Sequence, residues 1–314
     1  MMSFIEIDGN PPPPGAAVST FIANDGAKIR YAMFPKDGAR ASLVLLPGRA
    51  EFIEKYFEVI GDLHARGFNV AMMDWRGQGL SARNDEIGSA GHVDDFSLMV
   101  DDLERFLEAI VSKQFREPLL FLTHSMGGAP TLQYLSDCGR AYAGAALCAP
   151  MTSILPEGVG RTGAGLLAQA ASLLGFAKAG VPGISDQSMD FEGNRLTSDA
   201  ERHKRFADLQ KAAPQAVTLA PTFGWVRAAL DTCRDLHKPN RFEGLKTPIR
   251  IITAGEEAIV NGDDHAVIAD RHPLIECVKI DGAQHEIMME TDDLRAAFWS
   301  AFDAFADAQL KASA

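Results

Sequence analysis

Two separated parts of this chain alternate short apolar runs with helical stretches, and that alternation constrains the fold more than any other feature. The first part reads as strand 42–46, helix 53–65, strand 69–73, helix 96–111, strand 119–122, a helix from Gly127 and a strand at 144–148. Within the 96–111 helix, Phe96, Met99, Val100, Leu103, Phe106, Leu107 and Ile110 recur at the spacing of one helical face. Apolar strands linked by helices predict an α/β fold, a mostly parallel sheet covered by helices on both faces. The alternation stops at Pro150 and resumes at Pro248 with strand 249–253, helix 264–270, strand 275–280 and a last helix from Asp292. Thr291 is the expected N-cap of that helix, with Leu294, Phe298, Ala301, Phe302 and Phe305 on its inner face.

Residues 151–246 hold glycine- and alanine-rich helical pieces, several prolines and no convincing buried strand. The expected organisation is therefore a lead-in over 1–17, a core made of 18–150 and 247–314, and a helical cap over 151–246. The lead-in carries Pro11-Pro12-Pro13-Pro14, stiff and unsuited to a sheet. After it, strand-like runs 20–23 and 28–34 flank Asn24-Asp25-Gly26, a hairpin turn.

Composition narrows the function classes. With 30 basic against 42 acidic residues the formal charge is −12, which repels polyphosphate and argues against a nucleic-acid partner. Cys138, Cys148, Cys233 and Cys277 form no C-x-x-C pair, so they read as small buried residues of a reducing compartment. The first residues lack a basic n-region and an apolar h-region. The stretch from Gly163 to Ala177, broken by Gln169 and Ser172, falls short of the ~20 apolar residues of a membrane span. A cytoplasmic protein is expected, with the cap as the part that could touch a membrane.

The strand ending at Leu122 runs into Thr123-His124-Ser125-Met126-Gly127-Gly128 and then a helix. This is the setting of a nucleophile elbow, with Thr123 in place of the first glycine of G-x-S-x-G. Small residues are needed there because the serine takes a strained backbone conformation and the helix must pack close to the strand. A serine nucleophile needs a base and a carboxylate to orient it, in the chain order Ser, acid, His. Past the insert stand His265, His272 and His285; only His285 follows the last strand, in a loop at its C-terminal edge. The acid is expected after strand 249–253, where Glu257 fits best and Glu256 and Asp263 are fallbacks. The oxyanion hole would take the amides of Met126 and, after Gly48, Arg49.

The chain resembles the α/β-hydrolase superfamily in its monoacylglycerol lipase and bacterial lysophospholipase branch. The resemblance rests on Pro47-Gly48-Arg49-Ala50-Glu51, Lys55-Tyr56, Asp74-Trp75-Arg76-Gly77-Gln78-Gly79-Leu80-Ser81, Gly91-His92-Val93, Val100-Asp101-Asp102-Leu103, His124-Ser125-Met126-Gly127-Gly128 and His285-Glu286. Pro221-Thr222-Phe223-Gly224-Trp225-Val226 is similar to a cap segment of the lysophospholipases. What the resemblance implies is an α/β-hydrolase fold with a helical cap and a serine esterase acting through an acyl-enzyme on monoacyl lipids, without metal or organic cofactor. Pro47 stands where monoacylglycerol lipases usually carry His and Glu257 where they usually carry Asp, which leans toward the lysophospholipases.

Trp225, Phe223 and Leu173 are the candidate substrate-binding residues, Leu173 through a Leu166-Leu167, Leu173-Leu174, Phe176 run that reads as an acyl-chain wall, a lid or ordinary helix packing. Arg195, Arg202, Lys204, Arg205 and Lys211 could meet an anionic headgroup, but Asp199, Glu201 and Asp208 interleave them, as on a solvated charged face. Asp263-Asp264-His265 reads as a helix start rather than a metal site, and His285-Glu286 lacks the second histidine of H-E-x-x-H, since Met289 stands there. An aminopeptidase or general carboxylesterase on the same core is the alternative enzyme, the former needing cap carboxylates such as Glu157, Asp186, Asp190 or Glu192. A non-catalytic ligand-binding protein is the alternative outside enzymes.

Overall fold

The computed structural model describes residues 2–83, 85–154, 160–182 and 190–313. Its centre is one eight-stranded sheet: β1 (Ala17–Ile22), β2 (Lys28–Phe34), β3 (Ala41–Leu46), β4 (Phe68–Met73), β5 (Leu119–His124), β6 (Gly144–Cys148), β7 (Ile249–Ala254) and β8 (Ile275–Ile280). The order across the sheet is β1-β2-β4-β3-β5-β6-β7-β8. β1 pairs antiparallel with β2 and β2 with β4; from β4 to β8 every pairing is parallel. The hairpin turns at Gly26, whose φ of +91° suits glycine. The lead-in yields its last residue to the sheet, since Ala17 pairs with Met33.

Successive strand residues feed opposite cores, as a two-residue period requires. Val44, Leu46, Phe121, Leu147 and Ile251 face one core with Phe96, Met99, Leu103 and Phe106 of the helix after β4. Leu43, Leu45, Leu120, Leu122 and Ile252 face the other with Ile60, Leu63, Phe298, Phe302 and Phe305. Helices therefore cover both faces: α1 (Phe57–Ala65), α2 (Ser97–Phe106), a short α3 (Ser112–Gln114), α4 (Gly128–Asp137), α8 (Asp264–Ala269) and α9 (Asp292–Ala312), with α5 (Gly160–Leu173), α6 (Ala200–Ala212) and α7 (Phe223–Leu236) between β6 and β7.

Local details depart from the sequence reading. The 53–65 helix opens as a 3₁₀ turn, Ile53–Tyr56, and the 96–111 helix widens into a π turn, Leu107–Val111. Thr291 stands at the N-cap of α9 but its hydroxyl makes no cap hydrogen bond. Glu290 beside it links two segments instead, its Oε2 accepting from the amides of Ser198 and Thr291. Arg202 and Arg205 of the basic run bind Glu58, and Lys204 and Lys211 bind Asp208. Among the described residues no helix is long and apolar enough to cross a membrane.

Candidate active site

The site sits where β5, β7 and β8 end. β5 stops at His124, and Ser125 follows with φ +49°, in the left-handed region that costs a non-glycine residue energy. The turn is tight because two glycines allow it. A Cβ on Gly127 would stand 2.5 Å from the Pro47 carbonyl oxygen, and one on Gly128 would stand 2.5 Å from the Pro150 Cβ. Thr123, in the first-glycine place, is tolerated with its hydroxyl buried and unpartnered among the described residues.

The loop after β8 presents His285, whose Nε2 lies 2.9 Å from Ser125 Oγ. Its Nδ1 lies 2.9 and 2.8 Å from Glu257 Oε1 and Oε2, on the loop after β7. Glu257 Oε1 also accepts from the amides of Ile259 at 2.8 Å and Val260 at 3.1 Å. Burial opposes ionisation of Glu257, yet the hydrogen bonds from His285 and the two amides outweigh it and hold its carboxyl below the usual range. Glu256 and Asp263 are exposed. His265 is committed elsewhere, between the Thr253 hydroxyl and the Pro150 carbonyl, each 2.8 Å away. The three residues singled out as serine, base and acid thus form one hydrogen-bonded chain.

The loop after β3 lies alongside. The amide of Gly48 donates to Glu51 Oε2 and that of Ala50 donates to Gln78 Oε1 at 2.6 Å, while the Arg49 amide between them has no partner among the described residues. Met126 is buried at the start of the elbow turn, where the first amides of a helix lack internal partners.

Beneath this lies a charged network to which the sequence reading assigned no role. Glu51 accepts from Lys55 Nζ at 2.7 Å, Tyr56 Oη at 2.6 Å and His124 Nδ1 at 3.0 Å. Lys55 also binds Glu286 at 2.6 Å, and His124 Nε2 points at the His285 carbonyl, 3.3 Å away. Both His124 nitrogens face acceptors, an arrangement that favours the charged ring; burial works against that charge and Glu51 overcomes it, raising the His124 pKa. Glu51 is correspondingly held far below the usual carboxylate range. Glu51 and Lys55 are four residues apart, but Glu51 stands in the loop before the Ile53–Tyr56 turn, so helical spacing gave no signal for the pair.

Of the candidate substrate residues, Trp225 is buried against Phe96 and under the Arg49 guanidinium, and Phe223 is half-buried at the start of α7. Leu173 is 82% exposed and lines a surface depression with Asp94, Gln133, Arg227 and Asp235, away from Ser125 and His285. Leu166, Glu157 and Asp186 lie outside the described side chains, and Asp190 and Glu192 are exposed. Among the described residues no group of three His, Cys, Asp or Glu side chains is arranged to hold a metal ion.

A family model described as serine aminopeptidase, S33, matches residues 37–292. The chain is 30% identical over 267 residues to a probable lysophospholipase L2 of Haemophilus influenzae, covering 85% of this chain and 83% of that protein. It is 29% identical over 295 residues to lysophospholipase L2 of Escherichia coli, covering 88% and 83%. Among solved structures, a soluble variant of the monoglyceride lipase of Saccharomyces cerevisiae in complex with a substrate analog superposes with a TM-score of 0.75 at 21% identity, over 94% of this chain and 96% of that one.

Proposed function

Because the chain belongs to the serine aminopeptidase, S33, family of α/β-hydrolases, in its lysophospholipase and monoacylglycerol lipase branch, we propose that it is a serine hydrolase cleaving the carboxylic ester of monoacyl lipids. The observation that carries this reading is the unbroken chain from Ser125 Oγ through the His285 ring to Glu257. In this reading Ser125 attacks the ester carbonyl while His285 Nε2 takes its proton, and Glu257 holds the ring tautomer and steadies the imidazolium. The amides of Met126 and Arg49 receive the oxyanion. His285 then protonates the departing glycerol oxygen, leaving the acyl group on Ser125. Water, deprotonated by His285, releases the fatty acid and restores the serine.

Residues 151–246 serve as the cap over this site, with Trp225 and Phe223 on its inner side and its exposed apolar end toward the lipid phase. The lysophospholipase relatives favour a lipid ester over the peptide bond that the family's description suggests. We place the protein in the cytoplasm.

The test is fatty-acid release from lysophosphatidylcholine and monoacylglycerol, beside short p-nitrophenyl esters and aminoacyl anilides. Wild type should turn over the lipids, and Ser125→Ala should lose at least about three orders of magnitude in kcat with an unchanged circular dichroism spectrum. Turnover of anilides alone would move the assignment to a peptidase. No turnover, with no fluorophosphonate labelling of Ser125, would make the chain a binding protein.

A further inference from the structure

We propose that the Arg49 side chain receives the phosphodiester of a lysophospholipid and thereby sets the preference between phosphorylated and neutral monoacyl lipids, an assignment that rests on the lipid-esterase reading above.

Three other sequestered arginines sit on carboxylates: Arg30 on Glu54 and Asp74, Arg76 on Asp25 and Asp102, Arg295 on Glu58 and Asp62. Arg49 has no carboxylate within ion-pair distance among the described residues. Its Nη2 donates to the Leu219 carbonyl, its guanidinium carbon lies 5.3 Å from the centre of the Trp225 ring, and its Nε is buried without a hydrogen-bond partner among the described residues. Burial lowers its pKa to about 10, so it is still a cation at neutral pH. A sequestered charge without a counter-charge is costly, and an incoming anion relieves that cost.

A neighbouring residue supplies the comparison. Arg83 binds the same stretch of chain, donating to the carbonyls of Gly79, Ala216 and Val217 and to the Thr218 hydroxyl. Each of its three guanidinium nitrogens meets a protein acceptor, as befits a structural tie. Arg49 keeps donors uncommitted. Gly91 lets the chain pass close beside this guanidinium, since a Cβ there would come within 3.3 Å of Arg49 Nη2 and 3.0 Å of Thr218 Cγ2.

The anion that belongs there follows from the position of the main chain. Arg49 offers its amide to the ester carbonyl in the proposed reaction, and its side chain reaches from there to the Leu219 carbonyl and the Trp225 ring of the proposed cap. Across the glycerol from that carbon a monoacylglycerol carries a hydroxyl and a lysophospholipid carries a phosphodiester. A guanidinium grips phosphate oxygens through its forked donors and gains far less from a hydroxyl.

The experiment measures kcat/KM for lysophosphatidylcholine, lysophosphatidylglycerol and a monoacylglycerol of the same acyl chain, below their critical micelle concentrations, in wild type, Arg49→Lys and Arg49→Gln. The readout is the ratio of phosphorylated to neutral substrate, because losing the Leu219 and Trp225 contacts can lower every rate together. The ratio should fall about tenfold or more in Arg49→Gln, the worth of one charge-assisted contact, and recover in part in Arg49→Lys. Glycerophosphocholine should inhibit wild type competitively and Arg49→Gln less; inorganic phosphate inhibiting equally well would assign the site to free phosphate and overturn the headgroup role. A ratio unchanged in Arg49→Gln, or absent glycerophosphocholine inhibition should that variant not fold, overturns the assignment and leaves the esterase reading standing. Wild type that cleaves p-nitrophenyl esters but no lipid overturns both.

Discussion

Glutamate as the third member of the Ser125–His285–Glu257 chain brings one more methylene than aspartate, and the loop after β7 absorbs it. The carboxylate is fixed from two sides, by His285 Nδ1 and by the amides of Ile259 and Val260. Glu257→Asp cannot reach both, so kcat should drop by about one to two orders of magnitude, the cost of a catalytic group displaced by about an ångström. Glu257→Gln keeps the length but loses the charge that steadies the imidazolium, and should cost about three to four orders. Steady-state kinetics on a short ester reads both; a Glu257→Gln variant of near-native kcat would move the acid's role elsewhere. These three residues were legible in the sequence because each follows a strand end and the chain order limits the choice. The Arg49 side chain and the network of Glu51, Lys55, His124 and Glu286 were not. His124 is 73 residues from Glu51 and contacts the carbonyl of a residue 161 further on, and no local period encodes such pairings.

At the scale of elements, the sheet was readable from buried apolar runs, with β6 and β8 at their expected bounds. The caps were less so, because a cap depends on which neighbour arrives. Thr291 has the right chemistry but its hydroxyl caps nothing, and Glu290 beside it links the Ser198 and Thr291 amides, neither in the first turn of α9. Glu58 on α1 has a related linking role: it binds Arg202 and Arg205 of α6 and Arg295 of α9 at 2.6, 2.6 and 2.9 Å. Burial works against its charge, but the three guanidinium groups prevail and hold its pKa at about 2. A depressed carboxylate contributes stability that is present above its unfolded value, near 4.5, and is lost as pH falls toward 2. Glu58→Gln should therefore melt below wild type at neutral pH, with the gap narrowing below about pH 4.5. Melting curves across pH check this, and a gap independent of pH would assign the loss to packing.

For the molecule as a whole, net charge and apolar exposure together suggest how it meets its substrate. A chain of charge −12 is repelled by anionic bilayers, so a contact of the proposed cap with lipid would rest on apolar side chains. Leu174 and Phe176, just past α5, are 74% and 59% exposed, beside the equally uncovered Leu167 and Leu173. Exposed apolar groups gathered on one segment are the natural place to test for a lipid contact. That segment belongs to the proposed cap, so docking there would bring the site to the lipid phase. Partial burial of two such side chains in lipid is worth about 1–2 kcal/mol, roughly a tenfold change in binding. Leu174→Ser/Phe176→Ser should therefore lower turnover of lysophospholipid in zwitterionic vesicles about tenfold. Turnover of the same substrate as dispersed monomers should stay within about twofold of wild type, since neither side chain touches the Ser125–His285–Glu257 chain. Equal losses on both presentations would place these residues in substrate binding instead, and no loss on vesicles would assign the membrane contact to another face.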